Sequence, residues 1–539
     1  MPESQMRKSC SRLRIVEVRS DLINSAMTNS VQGFPRSLEK RLFQMVISRL
    51  EGHNLVSKPY QKKIQALVEK GIGGFIVFGG SKKRVSQYIV TLQSIADIPL
   101  FIASDVERGI GQQIEDATVL PSQMAVAAAI RKEKARDMHL LERMMNILID
   151  EAYEIGMNML LIPVLDVNQD PDNPIICTRA FSDIPEDVSY YGLHYIRLLQ
   201  ESGLVSCAKH FPGHGHTSVD SHISLPVINK TLGDLLAQDI PPFHNAVQAG
   251  VMSIMVGHIS VPEIDQAPAS LSGRVITSLL REELGFRGLV LTDALSMQAL
   301  KGIKEIPSRS VNAGADVLLH PVDPDLTQQE LARAVESGKV PLQRIDESVR
   351  RILEVKEKML QRKVTGLDYS MHRKVSASIA RKSISLYKYT PGILPLRDTR
   401  NVCMVFGGDS EYFRTSPLAK VFTSSVYVMS EGKQKRCRLG LDNQDMRAKT
   451  VVVGIFTSIA AWKGSSGISD EERRRIDSLM RHARQSIVIS FGSPYILRNF
   501  KSAEILIAAY DVSEQAQKAV LRCLMEDSDF HGRIPVALD

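Results

Sequence analysis

Cysteine is scarce. The chain holds six, at positions 10, 177, 207, 403, 437 and 523, and no two form a CxxC pair. This usage argues against a disulfide framework and points to free thiols in a reducing compartment. The first 30 residues carry Arg, Lys, Glu and Asp throughout, so the apolar core of a secretion signal is missing there. No apolar run approaches the length of a membrane span. No basic run is interleaved with aromatic residues, which leaves nucleic-acid binding without support. A glycine-bounded stretch, Gly71 to Gly80, invites a phosphate-loop reading, but neither Gly-Lys-Ser/Thr nor GxGxxG follows it at the required spacing. A cytoplasmic protein is therefore expected. It should bind neither membrane nor nucleic acid, and nothing indicates its oligomeric state.

What is present suits a large globular protein. A length of 539 residues exceeds one compact domain and suggests two or three. The balance of 67 basic and 60 acidic side chains leaves a net charge of +7, a small excess that fits a solvated surface. Residues 1–34 read as a disordered leader. Apolar positions at mixed three- and four-residue steps, such as Leu42, Val46, Leu50, Ile64 and Leu67, predict helix over 35–70.

From there, short apolar strands alternate with helices. Strands are expected at 71–80, 99–105, 157–163, 204–208, 252–256, 289–291 and 316–319, with helices including 84–95, 188–200 and 275–284. Polar residues follow most of these strands: Asp105, Asp166, Lys209-His210, His258, Asp293 and His320. The alternation predicts a parallel α/β architecture, and its extent fits a TIM-type (β/α)8 barrel over 35–360. Residues 361–395 read as a linker containing a helix at 370–385. A smaller α/β sandwich domain is expected over 396–539, without a strand-end carboxylate or histidine cluster of its own.

The chemistry gathers on the stretch Lys209 to His222, which places a Lys, four His and an Asp among Pro212, Gly213 and Gly215. A strand is expected to end at Ala208 and a glycine-hinged loop to begin at Lys209, the position at which such folds hold catalytic groups. Asp293 could serve as nucleophile and His222 as proton donor, with Asp220 orienting the imidazole. A glycosidase normally uses two carboxylic acids, but a histidine whose pKa lies near the working pH can replace one of them. Other readings compete. The four histidines could bind zinc, but they lack a matching cysteine or carboxylate partner, so no metal or cofactor is expected. Asp293 could cap a helix starting at Ala294. Asp166 is expected to bond backbone within the barrel.

Four stretches together resemble glycoside hydrolase family 3 β-N-acetylglucosaminidases. They are Lys209-His210-Phe211-Pro212-Gly213-His214-Gly215 with Asp220-Ser221-His222; Asn173 to Ser182 around Arg179; Ile162 to Asn168; and Leu271 to Thr277 followed by Leu284 to Met297 around Asp293. Their order and spacing match over about residues 40–320, and Ser490 to Tyr495 with Gly532 to Val536 resemble the second domain of two-domain members.

The resemblance implies a retaining hydrolase of terminal β-linked N-acetylglucosamine, as found in cell-wall muropeptides. Asp293 would be the nucleophile and His222, paired with Asp220, the acid/base. Asp105, Arg179, Lys209 and His210 would hold the sugar. The chain departs from the family pattern at two points: His216 stands where the loop usually has Asp, and Gln113 falls where a sugar-contacting Arg is usual. A family 3 β-glucosidase, an N-acetylglucosaminide phosphorylase and a degenerate sugar-binding protein are the alternatives.

Overall fold

The computed structural model describes residues 34–217, 224–360, 362–413, 415–423, 426–428, 447–459, 463, 465–526 and 529–538. Eight parallel strands make up the first domain: β1 (Val46–Glu51), β2 (Gly74–Phe78), β3 (Phe101–Ser104), β4 (Met159–Leu160), β5 (Val205–Phe211), β6 (Ser253–Val256), β9 (Leu289–Thr292) and β10 (Leu318–Leu319). A small antiparallel pair, β7 (Ser260–Val261) and β8 (Asp265–Pro268), is inserted after β6. Each barrel strand pairs with the next, and β10 pairs back onto β1. A bridge between Leu291 and Val317 joins the two remaining edges, so the sheet closes into the expected barrel.

Side-chain alternation sorts the strands into two packed layers. Phe101 and Ala103 of β3, Val205 and Cys207 of β5, and Leu289 and Leu291 of β9 share one buried cluster with Ile47, Ile76, Met159 and Met255, which fills the lumen. The intervening residues, such as Val46, Leu50, Phe75, Val77 and Ile102, join a second cluster with the surrounding helices, among them Lys58–Glu69, Lys82–Ile95, Ala135–Ile155 and Pro185–Glu201.

The region 35–70 departs from the expected continuous helix. Helices Leu38–Gln44 and Lys58–Glu69 flank β1. The backbone of β1 is paired on both sides, by β2 and β10, and that pairing outweighs a local pattern that also suits a helix.

The second domain is a six-stranded sheet ordered β11-β16-β15-β14-β12-β13. Its members are β11 (Ser385–Lys388), β12 (Val402–Gly408), β13 (Val426–Val428), β14 (Thr450–Phe456), β15 (Gln485–Phe491) and β16 (Ile505–Ala508). Five strands are parallel. β11 runs antiparallel along the edge of β16 and lies inside the stretch read as a linker, directly after helix Tyr369–Ser383. The two domains share a core: Met124, Ala125, Ala128 and Cys177 of the barrel pack with Val451, Val453, Tyr495 and Tyr510 of the second sheet. Among the described residues, no helix is long and apolar enough to cross a membrane.

Candidate active site

The mouth of the barrel collects the charged residues. Two residues beyond Ala103, Cys207 and Leu291 come Asp105, Lys209 and Asp293, so the two-residue repeat carries all three onto the lumen side at the carboxyl ends of β3, β5 and β9. Cys207 lies directly beneath them. Burial pushes its thiol up to about 12, and the charges of Lys209, Asp105 and Asp293 all act on it.

Lys209 is the centre of this group. Its ammonium is buried and sits 2.7 Å from Asp105 Oδ1 and 2.7 Å from Glu107 Oε1. Glu107 is in turn gripped by Arg179, which donates from Nε to Oε2 at 2.8 Å and from Nη2 to Oε1 at 2.9 Å. Burial alone would raise the Glu107 pKa, but Arg179 and Lys209 outweigh it and hold the carboxyl far below the usual range. The same contacts keep Lys209 and Arg179 protonated despite their burial.

His210 stands beside this network. Arg179 Nη2 lies 3.4 Å from its Nε2, and its Nδ1 lies 2.7 Å from Asp166 Oδ2. Asp166, fully buried, also accepts the backbone N–H groups of His210 (3.1 Å) and His214 (2.7 Å). It thus bonds backbone, as expected, and fixes the ring of His210 as well. Burial and the neighbouring His210 depress the pKa of His214 to about 4.

The loop start also differs from expectation. The strand does not stop at Ala208; β5 continues to Phe211, so Lys209 and His210 lie within the strand, where its pairing with β6 shifts register between Ala208 and Phe211. Gly215 then passes so close to the carbonyl of Val167 that a Cβ would sit 1.7 Å from its oxygen, so this turn requires glycine. Asp220 and His222 lie outside the described residues.

At Asp293 the structure removes one competing reading. The side chain accepts Ala294 N–H at 2.7 Å, but no α-helix begins there; the next helical turn is the 3-10 segment Gln298–Leu300. Gln113 donates to the backbone carbonyl of Asp105 at 3.3 Å, and His216 is exposed.

Residue-level reading of the sequence missed several groups at this mouth. The part of Glu107 as the bridge between Lys209 and Arg179 depends on tertiary approach. Arg49, hidden in a stretch read as helix, lies over the ring of Phe78 at 4.7 Å, and Phe78 packs against His320 at 5.9 Å. Burial first and Arg49 second lower the His320 pKa to about 4, with the charges of Asp105 and Asp293 opposing.

The second domain closes one side. Its strand ends bring Thr457, Ser458, Gly492, Tyr510 and Asp511 against Glu107, Arg108 and Arg179 across a narrow cleft. Asp511 receives Arg108 Nη2 at 2.6 and 2.7 Å, and Asp409 receives Lys463 Nζ at 2.7 Å together with the backbone N–H and hydroxyl of Ser458, both at 2.7 Å. Strand-end carboxylates are therefore present in this domain, contrary to expectation, and both are occupied by cations. Among the described residues, no group of His, Cys, Asp or Glu side chains is arranged to hold a metal ion.

A closed (β/α)8 barrel with an acidic and basic mouth, roofed by an α/β domain, is the architecture of a known hydrolase family. Residues 37–355 match the glycosyl hydrolase family 3 N terminal domain, and the chain belongs to that family. A curated relative, beta-hexosaminidase A of Pseudoalteromonas piscicida, is 32% identical over 372 residues, covering 61% of this chain and 62% of the relative, which is under two thirds of its length. A second, the beta-N-acetylglucosaminidase/beta-glucosidase of Cellulomonas fimi, is 27% identical over 503 residues, covering 86% of this chain and 88% of the relative. Among solved structures, a glycoside hydrolase family 3 beta-N-acetylglucosaminidase from Paenibacillus sp. str. FPU-7 superposes with a TM-score of 0.77 at 26% identity, covering 94% of this chain and 99% of that one.

Proposed function

We propose that the protein is a retaining exo-β-N-acetylglucosaminidase, acting on terminal β-linked N-acetylglucosamine such as that of cell-wall muropeptides in the cytoplasm. The observation that carries this reading is the convergence of Asp105, Lys209 and Asp293 at one barrel mouth, beside Arg179 and His210. Asp293 attacks the anomeric carbon as the glycosidic bond breaks, and a glycosyl-enzyme forms. His222, oriented by Asp220, gives its proton to the leaving oxygen and later takes one from the attacking water.

Asp105, Lys209, Arg179 and His210 bind the sugar's hydroxyls and acetamido group. The Lys209–Asp105 pair and the contacts of Lys209 and Arg179 with Glu107 and of His210 with Asp166 hold them in place before substrate arrives, so little reorganisation is needed on binding. The sequence element Asp220-Ser221-His222 and the names of the relatives support the N-acetylglucosaminide over other glycosides. Gln113, which donates to the backbone carbonyl of Asp105, stands where the family resemblance would put a cationic sugar contact.

The Cellulomonas fimi relative, a beta-N-acetylglucosaminidase/beta-glucosidase, favours a second reading, in which aryl glucosides are also cleaved. Parallel assays on aryl N-acetylglucosaminide and aryl glucoside test both. We expect faster release from the first, with β-N-acetylglucosamine as the initial anomer by proton NMR. Asp293→Ala should reduce the rate roughly a thousandfold or more without unfolding the chain. Full activity of Asp293→Ala, or an initial α anomer, overturns the mechanism. Sugar 1-phosphate formed on adding phosphate would instead identify a phosphorylase.

A further inference from the structure

One cavity among the described residues lies away from the barrel mouth. It has a volume of about 510 Å³ and lies on the flank, where helix Ala135–Ile155, helix Tyr369–Ser383 and the C-terminal segment at His531 meet. That volume is in the range of small-molecule sites. Its walls carry Arg131, Lys134, Arg136, Arg143, Arg381 and Lys382, with His139 and His531 at the edge.

One carboxylate, Asp137, lines the cavity, and it is already committed. It holds the ammonium of Lys382 and accepts the backbone N–H of Arg131 at 3.2 Å. Arg131 Nη2 is spent on the carbonyl of His531 at 3.0 Å, and Arg143 Nη2 lies 3.6 Å from Met371 Sδ. Among the described residues, Lys134, Arg136 and Arg381 have no carboxylate within ion-pair distance.

The placement of these cations matters. Arg381 and Lys382 occupy the last turn of their helix, where cations are favoured by the helix dipole. Lys134 and Arg136 sit at the opposite kind of end, the N-terminus of a 21-residue helix whose cap residue, Lys134, makes no side-chain cap bond. Cations there oppose the dipole, and in that turn Asp137 is the acidic residue while Lys134 and Arg136 are exposed to solvent at the cavity. Ala129 and Leu140 add apolar wall between the charges.

We propose that this cavity binds a multiply phosphorylated small molecule. Guanidinium groups fork onto phosphate oxygens in pairs, and three cations without carboxylates match a ligand carrying three or more negative charges. A cavity of limited volume favours a compact ligand over a polymer.

Titration calorimetry of the full chain with inorganic tripolyphosphate and with ATP tests the proposal. One site per chain is expected, and Arg136→Ala combined with Arg381→Ala should weaken binding at least about tenfold. A control removing the same charge elsewhere, Lys62→Ala with Lys63→Ala on helix Lys58–Glu69, should leave affinity unchanged. Tripolyphosphate binding without ATP binding identifies inorganic polyphosphate as the source chemistry; binding of both admits nucleotides. Absence of binding at millimolar tripolyphosphate overturns the proposal. So does equal weakening by the control, or tighter binding of a single-stranded RNA that is lost in the same double variant. Hydrolysis of the aryl N-acetylglucosaminide, measured on each variant, should not change, which separates a failure here from a failure of the catalytic reading.

Discussion

Glu107 shows how far one side chain can organise a site. It is buried and joins Lys209 to Arg179. Glu107→Gln keeps the shape but leaves two buried cations short of one negative charge, and removing one partner of a buried pair costs about 3 to 5 kcal/mol. We expect a lower melting temperature and a lower kcat/KM from the same variant, read by calorimetry and by the aryl assay; an unchanged kcat/KM would detach Glu107 from sugar binding. His214 makes a pH-dependent prediction. Its folded pKa, about 4, lies below the unfolded value near 6.5, so its contribution to stability is complete above pH 6.5 and is lost as pH falls toward 4. The loss is at most about 3 kcal/mol. Glu107 and Asp166, both depressed, add a further loss below the ordinary carboxylate range. Melting temperatures across pH 7 to 4 should therefore fall for the native chain and fall less for His214→Asn.

At the level of elements, the two ends of the barrel strands divide the work. Asp316 lies just before β10, at the end opposite the mouth, and is fully buried. It binds Arg281 at 2.6 Å, Arg344 at 3.1 Å, Arg351 at 3.0 Å and the hydroxyl of Ser348 at 2.8 Å. This cluster ties the last barrel helix, Leu342–Lys358, and the segment Arg274–Glu283 to the closing strand. Asp316→Ala strips three arginines of their shared anion and should destabilise by about 3 to 5 kcal/mol. The remaining folded enzyme should keep its kcat/KM, because residues at the amino ends of barrel strands serve stability. A large drop in kcat/KM at full folding would show that the two ends are coupled.

At the scale of the whole molecule, the second domain is a structural partner of the barrel and not a tethered appendage. Their shared apolar core, the Arg108–Asp511 pair and the bond from Asn168 Nδ2 to Tyr495 Oη at 2.8 Å all cross the boundary. A chain ending at residue 360 should therefore expose Met124, Ala125, Ala128 and Cys177 and aggregate, as measured by the soluble fraction on expression. A soluble, fully active barrel would show that the roof is dispensable.

The sequence alone determined the barrel class, the order of its strands from β2 onward and most of the residues at its mouth. Strand-sized apolar runs ending in Asp105, Lys209 and Asp293 are local patterns, and local patterns survive without coordinates. Tertiary structure decided what local pattern leaves ambiguous. β1 is a strand because two neighbours bond its backbone, and β11 joins the second sheet because the edge of β16 is open to it. Glu107, Arg49 and the flank cavity matter because residues far apart in sequence meet there. Charges acquire partners, shifted pKa values and chemistry only through such approach, since the energy of two ions depends on their separation and on the water excluded between them.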